Sequence, residues 1–94
     1  MRRIYILLLL VFTITGLTAK DFTVVIDAGH GGTNPGATYE GRRESDDALR
    51  LAFAVGEILA EDGFDVVYTR TDDTTQSVGE KAAIANASGA DLFI

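Results

Sequence analysis

The chain has 94 residues, of which 47% are hydrophobic and 23% are charged, a balance typical of one small globular domain. Eight Lys and Arg residues stand against fourteen Asp and Glu residues, so the formal net charge is −6. This acidic balance argues against a general nucleic-acid binder, which needs a basic face to displace counterions from phosphate. The lack of cysteine excludes a disulfide framework, a thiolate metal site and a cysteine nucleophile. The single histidine excludes a site built from two histidines of this chain.

The N-terminus predicts an export signal. Arg2 and Arg3 give a positive start, residues 4–14 carry no charge, and residues 16–19 offer small side chains for cleavage. An uncleaved membrane anchor is the alternative, but the apolar stretch is shorter than the roughly 20 residues that a spanning helix needs. We therefore predict a signal peptide at residues 1–19, an exported protein in the periplasm, the cell wall or the extracellular space, and no stable membrane insertion after cleavage.

From residue 20 onward, short apolar runs alternate with helical patterns. Phe22–Ile26 is rich in β-branched residues and nearly continuous in apolar ones, which predicts a strand buried on both faces. Asp27–Gly41 holds five glycines and the only proline, and is predicted to be a loop. A helix is then predicted, with Ser45 as its N-cap and Gly63 at its C-terminal end. Its apolar positions recur at helical spacing: Leu51, Ala52, Val55, Ile58 and Leu59.

The second half of this region repeats the same alternation. Phe64–Thr69 predicts a second strand. Ser77 and Glu80 have the form of a capping box, which opens a helix through about Ala87. Asp91–Ile94 begins a third strand. The order strand, helix, strand, helix, strand predicts an α/β fold with a parallel sheet and right-handed crossovers.

Three strands and two helices are too few to cover both faces of such a sheet. A chain of about 75 residues buries only roughly 60% of its unfolded surface, and no disulfide supplements this core. The third strand has no turn after it. We therefore interpret residues 20–94 as the N-terminal part of a larger domain.

The residues best suited to chemistry lie in the loop after the first strand. In an open parallel sheet, ligands bind at the carboxyl ends of the strands, and Asp27–Gly32 occupies that position. A dinucleotide fingerprint that starts at Gly29 would need glycine where Asn34 stands, and a phosphate-binding P-loop would need lysine where Ala37 stands. The loop alone leaves two interpretations of His30 equally open, a functional imidazole and an ordinary structural one.

Several stretches of the chain carry a resemblance to one family. Val24–Gly32 is followed by Asn34–Ala37, and further on by Tyr68–Arg70, Ala85-Asn86 and Gly89–Ile94. Together they resemble the zinc-dependent N-acetylmuramoyl-L-alanine amidases, over essentially all of the chain that follows the signal peptide. These enzymes cleave the bond between the muramic acid lactyl group and the first L-alanine of the peptidoglycan stem. The resemblance implies that the predicted elements are the βαβαβ portion of a larger, three-layer amidase domain.

The resemblance also implies a zinc site with His30 and Glu44 as two of its ligands. Glu44 falls where the family carries a glutamate ligand, and Glu40 is the rival carboxylate. Zinc hydrolases commonly use three protein ligands and leave a fourth position to water. By resemblance, a further zinc histidine and the catalytic glutamate follow Ile94, so this chain alone is expected to be inactive. Asp27 is expected to hydrogen-bond the loop backbone or to orient His30, rather than to bind metal.

Two positions depart from the family pattern. Ala48 stands where asparagine is usual, which puts a contact near the metal in question. Lys81 stands where arginine is commoner, which puts a helix-surface contact in question. Tyr68 and Phe93 are predicted to lie in the core.

The mechanism that the resemblance implies is zinc-assisted amide hydrolysis, with peptidoglycan as the partner. Zinc lowers the pKa of a bound water and polarises the scissile carbonyl, and a glutamate passes the proton to the leaving amine. A non-catalytic peptidoglycan-binding module of the same fold is the first alternative. The second is an α/β domain that grips a nucleotide or another anion in its glycine loop, against which the acidic balance counts. Two ligands do not exclude another divalent ion, and no oligomeric state is predicted.

Overall fold

The computed structural model describes residues 21–94, and the predicted signal peptide lies outside the described residues. Within this part of the chain, neither helix is long and apolar enough to cross a membrane. The elements in chain order are β1 (Thr23–Ile26), β2 (Thr38–Tyr39), β3 (Arg42–Arg43), α1 (Glu44–Glu61), β4 (Asp65–Tyr68), α2 (Val78–Ser88) and β5 (Leu92–Phe93).

The main sheet is parallel and has the order β4-β1-β5. Thr23 pairs with Asp65 and Ile26 with Tyr68, so β1 and β4 are in register along their full length. The chain leaves β1 for β4 on one side and later places β5 on the other side. The strand order therefore reverses at the carboxyl end of β1, where α/β sheets open a crevice for ligands. The predicted α/β fold with a parallel sheet is confirmed.

The side chains of β1 alternate between two faces of the sheet. Val24 and Ile26 are buried against Ala52 of α1. Val25 is fully buried and points to the opposite face, because successive strand side chains alternate. Burial of each such side chain contributes roughly 1.5–3 kcal/mol. The central strand is thus packed on both faces.

Gly56 lets α1 approach β4 closely. The ring of Tyr68 packs edge-on against Phe53, with the ring centroids 5.2 Å apart. A Cβ atom at position 56 would overlap the hydroxyl of Tyr68 and lie 2.6 Å from its Cζ. A glycine in the middle of this helix is therefore required by packing.

The start of α1 differs from the prediction, and Ser45 is not its N-cap. The helix begins at Glu44 after Arg43, whose side chain makes no capping hydrogen bond. The loop supplies the missing acceptors, because Glu44 N–H donates to Ala37 O at 2.8 Å and Ser45 N–H donates to Pro35 O at 2.9 Å. Ser45 is instead completely buried in the first turn.

The predicted loop Asp27–Gly41 runs into a short hairpin that was not predicted from the sequence. β2 and β3 pair antiparallel, with Thr38 opposite Arg43. Glu40 and Gly41 form the turn with φ of +48° and +81°, the positive values that suit a two-residue hairpin. Because Glu-Gly is a weaker turn signal than Asn-Gly or Asp-Gly, the pattern did not reveal this hairpin.

The second half agrees with the prediction, apart from one core residue. Ser77 Oγ accepts from Glu80 N–H at 3.1 Å at the start of α2, and the helix ends at Gly89 with φ +66°. Tyr68 packs against the core, as predicted. Phe93 is 46% exposed, so its predicted core position is wrong. It lies on an edge strand that no described element covers from outside.

Candidate metal centre

His30 and Glu44 lie side by side at the carboxyl end of β1. His30 Nε2 is 3.3 Å from Glu44 Oε2. The β1 loop carries the imidazole, and the first residue of α1 carries the carboxylate. The side chains are 35% and 50% exposed, so the pair is accessible from solvent. Glu40, the rival carboxylate, lies in the hairpin turn and is exposed.

The Glu44 carboxylate is held through its other oxygen. Oε1 accepts from Ala37 N–H at 2.9 Å, while Glu44 N–H donates to Ala37 O. The Ala37 hydrogen bond, together with the nearby His30, holds the pKa of Glu44 below its usual value. Glu44 is therefore favoured in its ionised form, with Oε2 facing His30.

Asn34 orients the imidazole. The Oδ1 atom of Asn34 accepts from Gly36 N–H at 3.3 Å, which sets the orientation of the amide. The same oxygen lies 3.2 Å from His30 Nδ1, which must therefore carry the proton and donate it. Nε2 is left as the nitrogen that faces Glu44. His30 has φ +62°, a left-handed conformation that costs on the order of 1–3 kcal/mol outside glycine and clusters at functional sites.

The Asp27 carboxylate contacts two other side chains, so the prediction that it would hydrogen-bond the loop backbone or orient His30 is wrong. Its Oδ1 accepts from Thr69 Oγ1 at 2.8 Å and pairs with Lys81 Nζ at 3.0 Å. The lysine side chain is only 16% exposed, so Lys81 is not a helix-surface residue. Asp27 ties β1 to β4 and α2 because it points to the face opposite α1. The other departure, Ala48, packs against the apolar core.

The chemistry of the pair fits a bound cation. A neutral His30 with its proton on Nδ1 turns the Nε2 lone pair towards the ionised Glu44. That contact is repulsive unless a second proton or a metal ion lies between the two atoms. Zinc bonds of about 2.0–2.2 Å place two tetrahedral ligand atoms roughly 3.3–3.6 Å apart, and the observed separation is 3.3 Å. Imidazole nitrogen and carboxylate oxygen are both common zinc ligands.

The pair is an incomplete ligand set within residues 21–94. Within this range, no third residue of a metal-ligating type (histidine, cysteine, aspartate or glutamate) joins the pair to form a group that could hold a metal ion. Three protein ligands are usual at a catalytic zinc. A working site would therefore need at least one more ligand.

Arg70 binds the backbone next to both His30 and Glu44, and this role was not predicted. It begins a segment that we call the positioning loop, residues 70–75, and it is only 4% exposed. The sequence offered one signal for this role, namely a charged residue directly after the predicted strand Phe64–Thr69. An arginine buried at such a position must find hydrogen-bond acceptors for its guanidinium. The four carbonyl oxygens that accept from it are those of Ala28 (3.0 Å), Gly29 (3.0 Å), Ser45 (2.9 Å) and Asp72 (2.8 Å).

Asp73 extends these contacts from the same positioning loop. Its Oδ1 accepts from Gly32 N–H and its Oδ2 accepts from Arg43 Nη2, both at 2.7 Å. The Gly32 hydrogen bond, and next the Arg43 guanidinium, hold the pKa of Asp73 below its usual value. Thr75 Oγ1 also accepts from Thr33 N–H at 2.9 Å. The positioning loop therefore binds the β1 loop on both sides of His30.

A cleft of about 270 Å³ opens beside Glu44. The hairpin forms one wall, where the Tyr39 side chain is 76% exposed. Glu44 lines this cleft, whereas His30 does not. The lining residues are Ala37, Thr38, Tyr39, Arg42, Glu44 and Asp47.

Residues 24–94 match the family model of N-acetylmuramoyl-L-alanine amidase. The chain belongs to this family. Because the match begins in β1 and continues through β5, it includes both His30 and Glu44 and all of the positioning loop.

Similar proteins include two curated amidases and a solved structure. The sporulation-specific N-acetylmuramoyl-L-alanine amidase of Bacillus subtilis is 38% identical over 73 residues, which cover 76% of this chain and 29% of that protein. The N-acetylmuramoyl-L-alanine amidase AmiA of Escherichia coli is 40% identical over 72 residues, covering 76% and 25%. The crystal structure of the amidase from Clostridium difficile 630 matches with a TM-score of 0.73 and 39% identity, covering 77% of this chain and 40% of that chain. This chain thus spans about a quarter to a third of these curated relatives.

Proposed function

We propose that this chain is part of a zinc-dependent enzyme that hydrolyses the amide between N-acetylmuramic acid and L-alanine in peptidoglycan. The observation that carries the proposal is the 3.3 Å approach of His30 Nε2 to Glu44 Oε2 at the reversal point of the sheet. The family match over residues 24–94 supports the class of bond.

The two residues would act as metal ligands. When bound, zinc supplies a water of lowered pKa and polarises the scissile carbonyl. His30 offers Nε2 because Asn34 occupies its Nδ1 proton, and Glu44 offers Oε2 because Ala37 occupies its Oε1. The negative charge of Glu44 offsets part of the charge of the dication. Neither residue is then free to take a proton from water, so the general base is a different residue.

We further propose that the 94-residue chain hydrolyses no peptidoglycan by itself, because residues 21–94 supply only two donors of the ligand set. We also propose that residues 1–19 direct export to the periplasm or cell wall, where the peptidoglycan substrate lies. This placement agrees with a chain whose relatives are named as N-acetylmuramoyl-L-alanine amidases.

Zinc titration of variants in the complete protein tests the ligand assignment. His30→Ala and Glu44→Gln should each abolish stoichiometric zinc binding and the release of stem peptide from purified cell wall. Glu40→Gln is the matched control, since it removes the rival carboxylate charge from the hairpin turn, and it should preserve both properties.

The alternative outcomes separate the competing hypotheses. Zinc loss in Glu40→Gln with full occupancy in Glu44→Gln would show that the wrong carboxylate was assigned. If neither His30→Ala nor Glu44→Gln changed zinc binding, the metal site itself would be refuted. Binding of zinc and cell wall without release of stem peptide would identify a non-catalytic module.

A further inference from the structure

Arg70 joins the two chain segments that carry the metal-binding pair. Its Nη2 donates to Gly29 O at 3.0 Å, directly before His30, and to Ser45 O at 2.9 Å, directly after Glu44. Its Nε–H donates at 3.0 Å to the carbonyl that precedes Gly29. One planar group therefore fixes the two backbones relative to each other, since the guanidinium fork holds its donors in a rigid geometry.

The burial of Arg70 is costly, which calls for a reason beyond filling space. Removal of a guanidinium from water is unfavourable unless its donors are paired, and the four hydrogen bonds described for it all end on carbonyl oxygens. Its positive charge would by itself repel a dication. Its benefit to a metal site must therefore come from orientation of the backbone.

The backbone that Arg70 holds is strained at the site. His30 has φ +62°, which is unfavourable for a residue with a Cβ atom, whereas the φ of +127° at Gly31 is accessible to glycine. A Cβ atom at position 31 would lie 2.9 Å from Arg70 Nε, so the loop rests directly on the guanidinium. Since a left-handed histidine is unfavourable on its own, contacts on either side must maintain it.

We propose that Arg70 is a positioning residue, which sets the separation of His30 Nε2 and Glu44 Oε2 so that both atoms can bind one metal ion. The inference rests on the proposed function. In this role Arg70 acts through the carbonyls on each side of the pair, to which its donors are bound.

Arg70→Lys tests this role in the complete protein. Lysine keeps the charge, but its ammonium presents donors from a single point and cannot bridge both segments as the fork does. With the variant folded by circular dichroism, we expect zinc affinity to fall about tenfold or more, as is typical when a group that orients a ligand is changed. The visible spectrum of the Co²⁺-loaded protein should also change, because it reports coordination geometry.

Lys81→Met is the matched control. It removes another mostly buried cation from the same end of the sheet, where Lys81 pairs with the Asp27 side chain and not with the backbone carbonyls beside His30 and Glu44. It should lower stability and leave zinc affinity and the Co²⁺ spectrum unchanged. A merely structural role for Arg70 predicts that the two variants behave alike once both are folded.

A second measurement needs no substitution. Coupling between two sites is reciprocal, so saturation with zinc should slow solvent exchange of the Arg70 Nε proton, as measured by NMR. A folded Arg70→Lys protein with parental zinc affinity, or an exchange rate that zinc does not change, would overturn the inference while leaving the proposed function intact. A parent protein that binds no zinc through His30 would overturn both.

Discussion

Gly36, which lies next to His30 and Glu44, has a φ of +69°. A Cβ atom at this position would lie 2.6 Å from Glu44 Oε1 and 2.7 Å from His30 Cδ2. Glycine is therefore required twice, by the backbone conformation and by the proximity of both side chains. A methyl group here would push apart the two atoms whose separation suits a metal ion.

We expect Gly36→Ala to weaken zinc binding by about tenfold or more. Gly41→Ala is its control, because Gly41 also has a positive φ, of +81°, but a Cβ atom there would meet no neighbouring atom within 4 Å. That control should cost only about 1–2 kcal/mol of stability through backbone strain and should keep parental zinc affinity. Calorimetric titration of both variants checks this, and equal affinities would contradict it.

Asp73 gives the structure a pH dependence of predictable sign. Its pKa is lowered by the Gly32 N–H hydrogen bond and by Arg43. A carboxyl group with a lowered folded-state pKa stabilises the fold above its unfolded pKa, roughly 3.9, and this contribution is lost as the pH falls through the folded value.

Asp73→Asn should therefore be less stable than the parent at pH 7. The difference in melting temperature should start to shrink below about pH 4, where the unfolded chain begins to bind a proton at Asp73, and should shrink further as the pH falls through the lowered folded-state pKa. High salt should shrink it at pH 7 as well, because the Arg43 ion pair is partly exposed. Thermal unfolding across this pH range is the measurement, and a difference that stays constant with pH would rule out the ionic explanation.

The pairing of His30 with Glu44 could be anticipated from sequence, while the residues that hold the two side chains in place could not. The His30 loop is a local motif, and its resemblance to a family suggested Glu44. Asn34 lies within the same motif, but nothing in the pattern assigned its amide to the imidazole. The bond from Arg70 to the β1 loop spans 42 residues, a separation at which sequence patterns carry no contact information.

At the scale of elements, Gly56 allows α1 to pack closely against Tyr68 of β4. Alanine favours a helix over glycine by about 1 kcal/mol, but overpacking in a close contact costs typically about 1–3 kcal/mol. The Tyr68 ring leaves no space for a methyl group, so packing should outweigh propensity.

Gly56→Ala should accordingly destabilise the fold by up to about 2 kcal/mol, the difference between these two effects. Gly79→Ala provides the same substitution in α2, where the nearest atom is Ser77 Oγ at 3.9 Å. That variant should be neutral or slightly stabilised. Urea denaturation of both proteins measures the difference, and a stabilised Gly56→Ala would show that the helix can shift away from β4.

Periodicity predicted the helices and main strands because those signals are local. The N-cap of α1 was predicted at Ser45 from the N-cap preference for serine, a rule that considers side chains only. In the folded protein, the carbonyls of Pro35 and Ala37 accept from the first helical amides. Backbone carbonyls of the preceding loop thus take the place of the side-chain cap that was predicted.

At the scale of the whole molecule, residues 21–94 have a small core and an open edge. The buried apolar residues are Val24, Val25, Ile26, Ala28 and Ala52. Helix α2 contains no buried residue, and Leu92, Phe93 and Ile94 are each nearly half exposed. This agrees with the prediction that two helices would cover such a sheet poorly.

The isolated 94-residue chain should therefore have a free energy of unfolding below about 5 kcal/mol, the lower end of the range for natural domains. It should also release no stem peptide from purified cell wall. Urea denaturation and a cell-wall digestion assay test the two statements. Hydrolysis that a chelator blocks would show that the two described donors suffice.

Export is the second prediction at this scale. Protein recovered from the cell envelope should begin near Lys20, because the apolar stretch after Arg2 and Arg3 is too short to span a bilayer. N-terminal sequencing is the measurement. Intact Met1 in a fraction that only detergent releases would indicate an anchor instead.

The hydrogen bonds of Arg70 to Ala28 O and Ser45 O reach across 42 and 25 residues of sequence. A peptide cut from β1 to the start of α1 would carry the side chains of His30 and Glu44 but not the Arg70 guanidinium that aligns them. A designer who grafted that stretch onto a new scaffold would transfer the ligands without their spacing. The smallest portable unit is β1, α1 and β4 together with the positioning loop, and it has to be moved as one piece.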